Sequence, residues 1–201
     1  MSEHVFRGIL VPVLTPFRPD LSPDADAFVT HCRWLLNKGA DGLAVFGTTS
    51  EANSIGLEER MALLENLIDS GISPSVLMPG TGTSALTDTV RLTAHAVEHG
   101  CAGVLMLPPF YYKPVSDEAL LRFFAELVNA VNEPRLRIIF YHFPQLTGVP
   151  FSLDLLKRLK QELGAVAAGI KDSSGSWENM SAVCRVILDF SVFAGTEKFL
   201  L

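Results

Sequence analysis

Lys38-Gly39-Ala40-Asp41-Gly42-Leu43-Ala44-Val45-Phe46-Gly47-Thr48-Thr49-Ser50-Glu51 joins three signals in fourteen residues. A helix-forming segment ends in glycine, an apolar run follows, and a hydroxyl-rich turn closes it. Gly39 suits the left-handed position just past a helix C-terminus. Leu43-Ala44-Val45-Phe46 has no polar alternation, the pattern of a parallel strand covered on both faces. His99-Gly100-Cys101-Ala102-Gly103 repeats the same joint ahead of a second apolar run. Working outward, the spacing predicts strands at 9–14, 42–46, 75–78, 103–107, 137–141, 166–170 and 192–194. Their starts recur every roughly 25–35 residues, the size of one βα unit. Helical periodicity fills the intervals at 24–37, 57–70, 85–99, 116–131, 153–162 and 177–188. Serial units without a composition break predict one α/β domain over residues 1–201, a (β/α)8 TIM barrel. An open doubly wound sheet is the alternative.

Composition narrows the functional classes. Of 201 residues, 48% are hydrophobic, enough for a sizeable core and too many for a disordered chain. Lys and Arg number 16 against 22 acids, a net charge of −6, with no basic cluster for nucleic acid. No apolar run approaches the roughly 18–20 residues of a membrane span. Ala102 to Leu107 comes nearest and is stopped by Pro108 and Pro109. Met1-Ser2-Glu3-His4 has an acid where a secretory leader has bases. Cys32, Cys101 and Cys184 lie far apart and make no disulfide framework. A cytoplasmic protein with reduced thiols is expected, with neither nucleic acid nor membrane as partner.

In a β/α barrel the chemistry sits where strands end. Gly47-Thr48-Thr49-Ser50-Glu51 follows the second strand, and Pro108-Pro109-Phe110-Tyr111-Tyr112-Lys113-Pro114 the fourth. The fifth ends in Tyr141-His142-Phe143-Pro144, the sixth in Lys171-Asp172-Ser173-Ser174-Gly175, and the seventh in Gly195-Thr196-Glu197. Lys171 is the most informative of these. In a barrel mouth, desolvation favours its neutral amine, which can attack a ketone and form a Schiff base. A solvated loop lysine beside Asp172 is the competing reading. Tyr141 and Tyr111 are candidate phenols for moving protons, or else aromatic packing over the barrel. Thr48 and Thr49, after the sharp turn at Gly47, could hold a carboxylate or merely cap the loop.

Two motifs carry less than they promise. His95-Ala96-Val97-Glu98-His99 matches H-x-x-E-H, a zinc-peptidase pattern, but ends a helix before a strand, at the wrong end for catalysis. No metal centre is expected from it. Gly80-Thr81-Gly82-Thr83-Ser84-Ala85 matches a dinucleotide fingerprint, yet the next strand ends in Pro108-Pro109 where a ribose-binding acid belongs.

Taken together, Gly47-Thr48-Thr49-x-Glu51, Tyr111 in Pro-Phe-Tyr-Tyr-Lys-Pro, Tyr141-x-x-Pro144 and Gly169-Ile170-Lys171-Asp172-Ser173-Ser174-Gly175 resemble the dihydrodipicolinate synthase/N-acetylneuraminate lyase family. Phe6-Arg7-Gly8 through Thr15-Pro16-Phe17 also fits. The resemblance implies a pyruvate-dependent class I aldolase or lyase, usually a homotetramer built as a dimer of dimers. It implies no cofactor beyond the covalent imine through Lys171. By this likeness Tyr141 shuttles protons, Thr48 and Thr49 hold the pyruvate carboxylate, and Thr49 relays protons to Tyr141. Tyr111 is the tyrosine that crosses the dimer interface.

Ser50 departs from the family's second loop glycine, and His142 stands where asparagine is common. Leu146, in Gln145-Leu146-Thr147-Gly148, replaces the arginine that grips aspartate semialdehyde in true synthases. Leucine cannot make a bidentate carboxylate contact. Glu197 stands where lyases read substrate hydroxyls, usually with Asp. These differences favour a lyase for a keto-deoxy sugar acid, a sialic-acid-like substrate or another 2-oxo acid. A lysine-biosynthetic synthase and a non-catalytic binding protein are the alternatives. Seven strands and six helices leave the barrel without its eighth strand. The expectation is a piece of a longer chain, unstable alone, with Phe199, Leu200 and Leu201 opening a further helix.

Overall fold

The computed structural model describes residues 5–199. Met1–His4 and Leu200–Leu201, on which the leader and final-helix readings fall, lie outside the described residues. Among the described residues six strands form: β1 (Leu10–Pro12), β2 (Gly42–Ala44), β3 (Val104–Met106), β4 (Ile138–His142), β5 (Ala167–Asp172) and β6 (Ser191–Ala194). Seven helices accompany them: α1 (Ala25–Asn37), α2 (Leu57–Asp69), α3 (Leu86–Glu98), α4 (Asp117–Val131), α5 (Pro144–Thr147), α6 (Leu153–Leu163) and α7 (Trp177–Val186).

Short polar residues start most of these helices. Asp24 accepts a hydrogen bond from the Ala27 amide, Ser116 from Ala119, Ser152 from Leu155 and Ser176 from Asn179. Each such cap is worth about 1 kcal/mol. At the other end, Gly39 and Gly100 follow α1 and α3 with φ of 99° and 81°. The helix over 177–188 stops two residues early, at Val186. The short α5 was not anticipated from the sequence.

The third strand, expected at 75–78, needs correction. Pro74–Val76 forms a 3-10 turn capped by Ser73, because Pro74 has no amide to give a sheet and Ser73 accepts from the Ser75 amide. The extended chain begins only after it. Met78 donates to the Leu43 carbonyl, Gly80 to Val45 and Thr81 to Leu105, while Leu105 donates to Pro79. This segment joins β1-β2 to β3-β4-β5-β6, so the parallel strands follow one another in chain order. A doubly wound sheet reverses its strand order partway, so sequential order selects the barrel. Among the described residues β1 pairs only with β2 and β6 only with β5.

Two apolar layers result. The outer layer lies between strands and helices and contains Val104, Met106, Ile138, Phe140 and Ile170. There Phe124 of α4 meets Phe140 of β4 edge-on at 5.0 Å, and Phe151 completes the cluster. The inner layer holds Ala44, Met78, Leu105, Ile139 and Tyr141, the alternate strand positions. Burial raises the Cys32 and Cys101 thiols to about 12, which leaves both inert as nucleophiles.

The fingerprint glycine Gly80 serves packing. A Cβ there would strike the Phe46 carbonyl oxygen of the adjoining strand. Gly80→Ala should therefore destabilise the fold by about 1–3 kcal/mol. Urea unfolding measures this, and an unchanged midpoint would contradict the close approach.

Candidate active site

Lys171 is the fifth residue of β5 and pairs in register with Tyr141 on β4 and Phe193 on β6. It is a strand residue, which displaces the loop-lysine reading. Strand alternation sends Lys171 and Asp172 to opposite faces. Asp172 is buried on the helix side, where Oδ1 accepts from the Ser174 amide at 2.8 Å and Oδ2 from Asn179 Nδ2 at 2.7 Å. Its carboxylate is thus engaged away from the lysine. Lys171 Nζ lies over the Tyr141 ring, 4.6 Å from its centroid. Among the described residues Lys171 forms no ion pair.

Lys171 and Tyr141 border a cavity of about 570 Å³ at the C-terminal ends of the strands. Thr48, Thr49, Ser173 and Glu197 share its lining, as do residues of β1 and β6. A smaller cavity of about 200 Å³ adjoins it through Thr48 and Tyr141 and reaches Gly47 and Leu146. Of the eight residues singled out from sequence, seven line one or both cavities. Tyr111 lines neither. It is 72% exposed and packs edge-on against Tyr112 at 5.1 Å. Leu146 sits on α5, 60% exposed, presenting only methyl groups to the smaller cavity.

The threonine loop is bent by Phe46 and Glu51, both at left-handed φ (57° and 55°). Non-glycine residues pay for that conformation in strain, so something must hold the loop. Ser50 does so. It is fully buried, its hydroxyl donates to the Val13 carbonyl, and its own carbonyl accepts from Thr15 Oγ1 at 2.9 Å. Among the described residues the Thr48 and Thr49 amides and hydroxyls have no acceptor, so four donors remain for an anion. In the sequence Ser50 shows only as a departure from glycine. Its spacing gave no sign of the contact to Val13.

His142 was a second departure whose role sequence could not supply. It points outward from β4, buried, and Nδ1 accepts from the Phe151 amide at 3.0 Å. Burial pushes its pKa below the ordinary value, outweighing the attraction of Asp172. The neutral ring ties the start of the α6 segment to the strand bearing Tyr141.

Comparisons with known proteins bear on this arrangement. The model of the dihydrodipicolinate synthetase family matches residues 5–201. An uncharacterized DapA-like lyase of Chloroflexus aurantiacus is 34% identical over 195 residues, covering 96% of this chain and 64% of the relative. The chain thus spans 64% of that curated relative's length. The crystal structure of dihydrodipicolinate synthase from Agrobacterium tumefaciens superposes with a TM-score of 0.90 at 34% identity, covering 93% of this chain and 65% of the other. A prophage protein of the same family from E. coli, solved with pyruvate, gives 0.83 at 29% identity, covering 94% and 63%. The 2-keto 3-deoxygluconate aldolase of Picrophilus torridus gives 0.86 at 26% identity, covering 95% and 67%.

The buried neutral His142 makes stability depend on pH. Unfolded, the ring takes up a proton below about pH 6.5, whereas the folded site resists it. The unfolded state then binds more protons, so stability falls as pH drops from about 7 to 5. His142→Asn should flatten that dependence in urea unfolding. A wild-type curve no steeper than the variant's would contradict the assignment.

Proposed function

The chain belongs to the dihydrodipicolinate synthetase family, and on that premise we propose that it works as a Schiff-base-forming lyase or aldolase on a 2-oxo acid. The observation that carries this is Lys171, turned inward on β5 beside Tyr141 in a cavity shared with Thr48 and Thr49. The Lys171 amine attacks C2 of the oxo acid, the carbonyl oxygen leaves as water, and an imine remains. The carboxylate rests on the Thr48–Thr49 donors. Cleavage breaks the C3–C4 bond, its electrons pass into the imine to give an enamine, and the C4 hydroxyl proton goes to Tyr141 through Thr49. Protonation at C3 and hydrolysis then release pyruvate and free Lys171. No cofactor or metal takes part.

For the second half of the substrate, a keto-deoxy sugar acid or sialic-acid-like chain fits better than aspartate semialdehyde. Leu146 offers no charge to a second carboxylate, and Glu197 can accept hydrogen bonds from chain hydroxyls. The likeness to a 2-keto 3-deoxygluconate aldolase agrees with this reading. Tyr111, exposed on its loop, is free to enter a second subunit's site in a dimer of dimers. The three free cysteines fit a reducing, cytoplasmic setting. Among the described residues no helix is long and apolar enough to cross a membrane.

Borohydride treatment in the presence of pyruvate should add the reduced pyruvyl mass to the peptide containing Lys171, and Lys171→Met should abolish it. Labelling elsewhere, or none at neutral pH, would sink the proposal and favour a binding protein. Leu146→Arg should improve condensation of pyruvate with aspartate semialdehyde by about 10–150-fold, the worth of a charge-assisted contact. Efficient condensation by the unaltered protein would instead establish a synthase.

A further inference from the structure

The outer face of the helix layer holds a cluster that the proposed chemistry does not use. Glu65 on α2 meets His95 in the last turn of α3 and His99 at its C-cap. One ligand atom from each lies within 4.8 Å of the other two. The histidines are four residues apart, so their rings leave one helix face, with centroids 4.2 Å apart. Glu65 Oε1 is 2.8 Å from His95 Nε2 and 4.0 Å from His99 Nε2.

The state of His99 follows from its other nitrogen. Nδ1 lies 2.9 Å from the His95 carbonyl oxygen. A carbonyl only accepts, so Nδ1 carries a proton, and the neutral form of the ring has its lone pair on Nε2. That lone pair and the Glu65 carboxylate are both acceptors, 4.0 Å apart, too far for a hydrogen bond. A second ring nitrogen fixed by a carbonyl is the usual arrangement of a metal-binding histidine. The side chains are reachable, 12%, 35% and 48% exposed for His95, His99 and Glu65.

We propose that Glu65, His95 and His99 form a site for a divalent transition-metal cation of the zinc type, bridging α2 and α3. Zinc bonds imidazole nitrogen and carboxylate oxygen at about 2.0–2.2 Å, which sets ligand atoms about 3.3–3.5 Å apart in a tetrahedron. His99 closes the remaining gap by a side-chain adjustment. Neutral His95 gives up its Nε2 proton by taking the Nδ1-protonated tautomer, and water completes the fourth position. Two imidazoles and one carboxylate do not suit calcium or magnesium, which take oxygen ligands. The site is not the peptidase arrangement of the H-x-x-E-H pattern, because Glu98 is exposed and outside the cluster. It lies where α3 ends and the next strand begins, the end of the wall away from Lys171. Its effect is to clamp two helices.

The test is calorimetric titration of the chelator-treated protein with Zn²⁺, alongside thermal melts. One Zn²⁺ per chain and a raised melting temperature are expected. His95→Gln and His99→Gln should each weaken binding by at least about tenfold, while Cys184→Ser, which removes the exposed thiol, leaves it unchanged. No binding, or binding unaltered in both histidine variants, would overturn the proposal. Should a histidine variant fail to fold, the Co²⁺ spectrum of the wild type decides. Tetrahedral bands without thiolate charge transfer support the site, and thiolate bands or an octahedral spectrum refute it.

Discussion

The register between β4 and β5 governs the site. Tyr141 opposes Lys171 and His142 opposes Asp172, and successive residues alternate between the barrel interior and the helix layer. A slip of one residue would bury the lysine among phenylalanines and turn the aspartate into the cavity. The outer pair resists that slip. Asp172 is held by Ser174 and Asn179, and His142 receives the Phe151 amide. These polar contacts behind the sheet fix the direction of the two residues in front of it.

The second constraint is the bent loop after β2. Two non-glycine residues at positive φ store strain there, and Ser50 and Thr15 offset it with buried hydrogen bonds to the strand-one segment. The result is a turn whose free amides and hydroxyls border the same cavity as Lys171. Gly80 allows the neighbouring strand to approach Phe46 closely enough for the inner layer to form. Lys171 and the threonine donors therefore come from separate segments of the strand wall, each held by contacts outside the cavity.

Much of this was legible in the sequence because periodicity and capping act locally. Gly39 and Gly100 mark helix ends, and continuous apolar runs mark parallel strands. What escaped had an overriding neighbour, too few residues to show a period, or a partner farther along the chain. The 75–78 run ends in three apolar residues, but Pro74 and Ser73 win locally and shift the extended chain toward Gly80. The turn of α5 is too short for periodicity to show. Ser50 and His142 looked like isolated departures because their partners, Val13 and Phe151, lie 37 and 9 residues away. Tyr111, which the family likeness assigns to a neighbouring subunit's site, lies on an exposed loop outside both cavities of its own chain.

The proposed chemistry requires Lys171 and the Thr48–Thr49 loop to act on the two ends of the same small oxo acid. A crystal structure of the protein soaked in pyruvate tests this most directly. Continuous density from Lys171 Nζ to C2, with the carboxylate on the Thr48 and Thr49 donors and the Tyr141 hydroxyl at the reacting carbon, is the predicted result. Pyruvate bound without a covalent link to Lys171, or with its carboxylate away from the threonine loop, would contradict it.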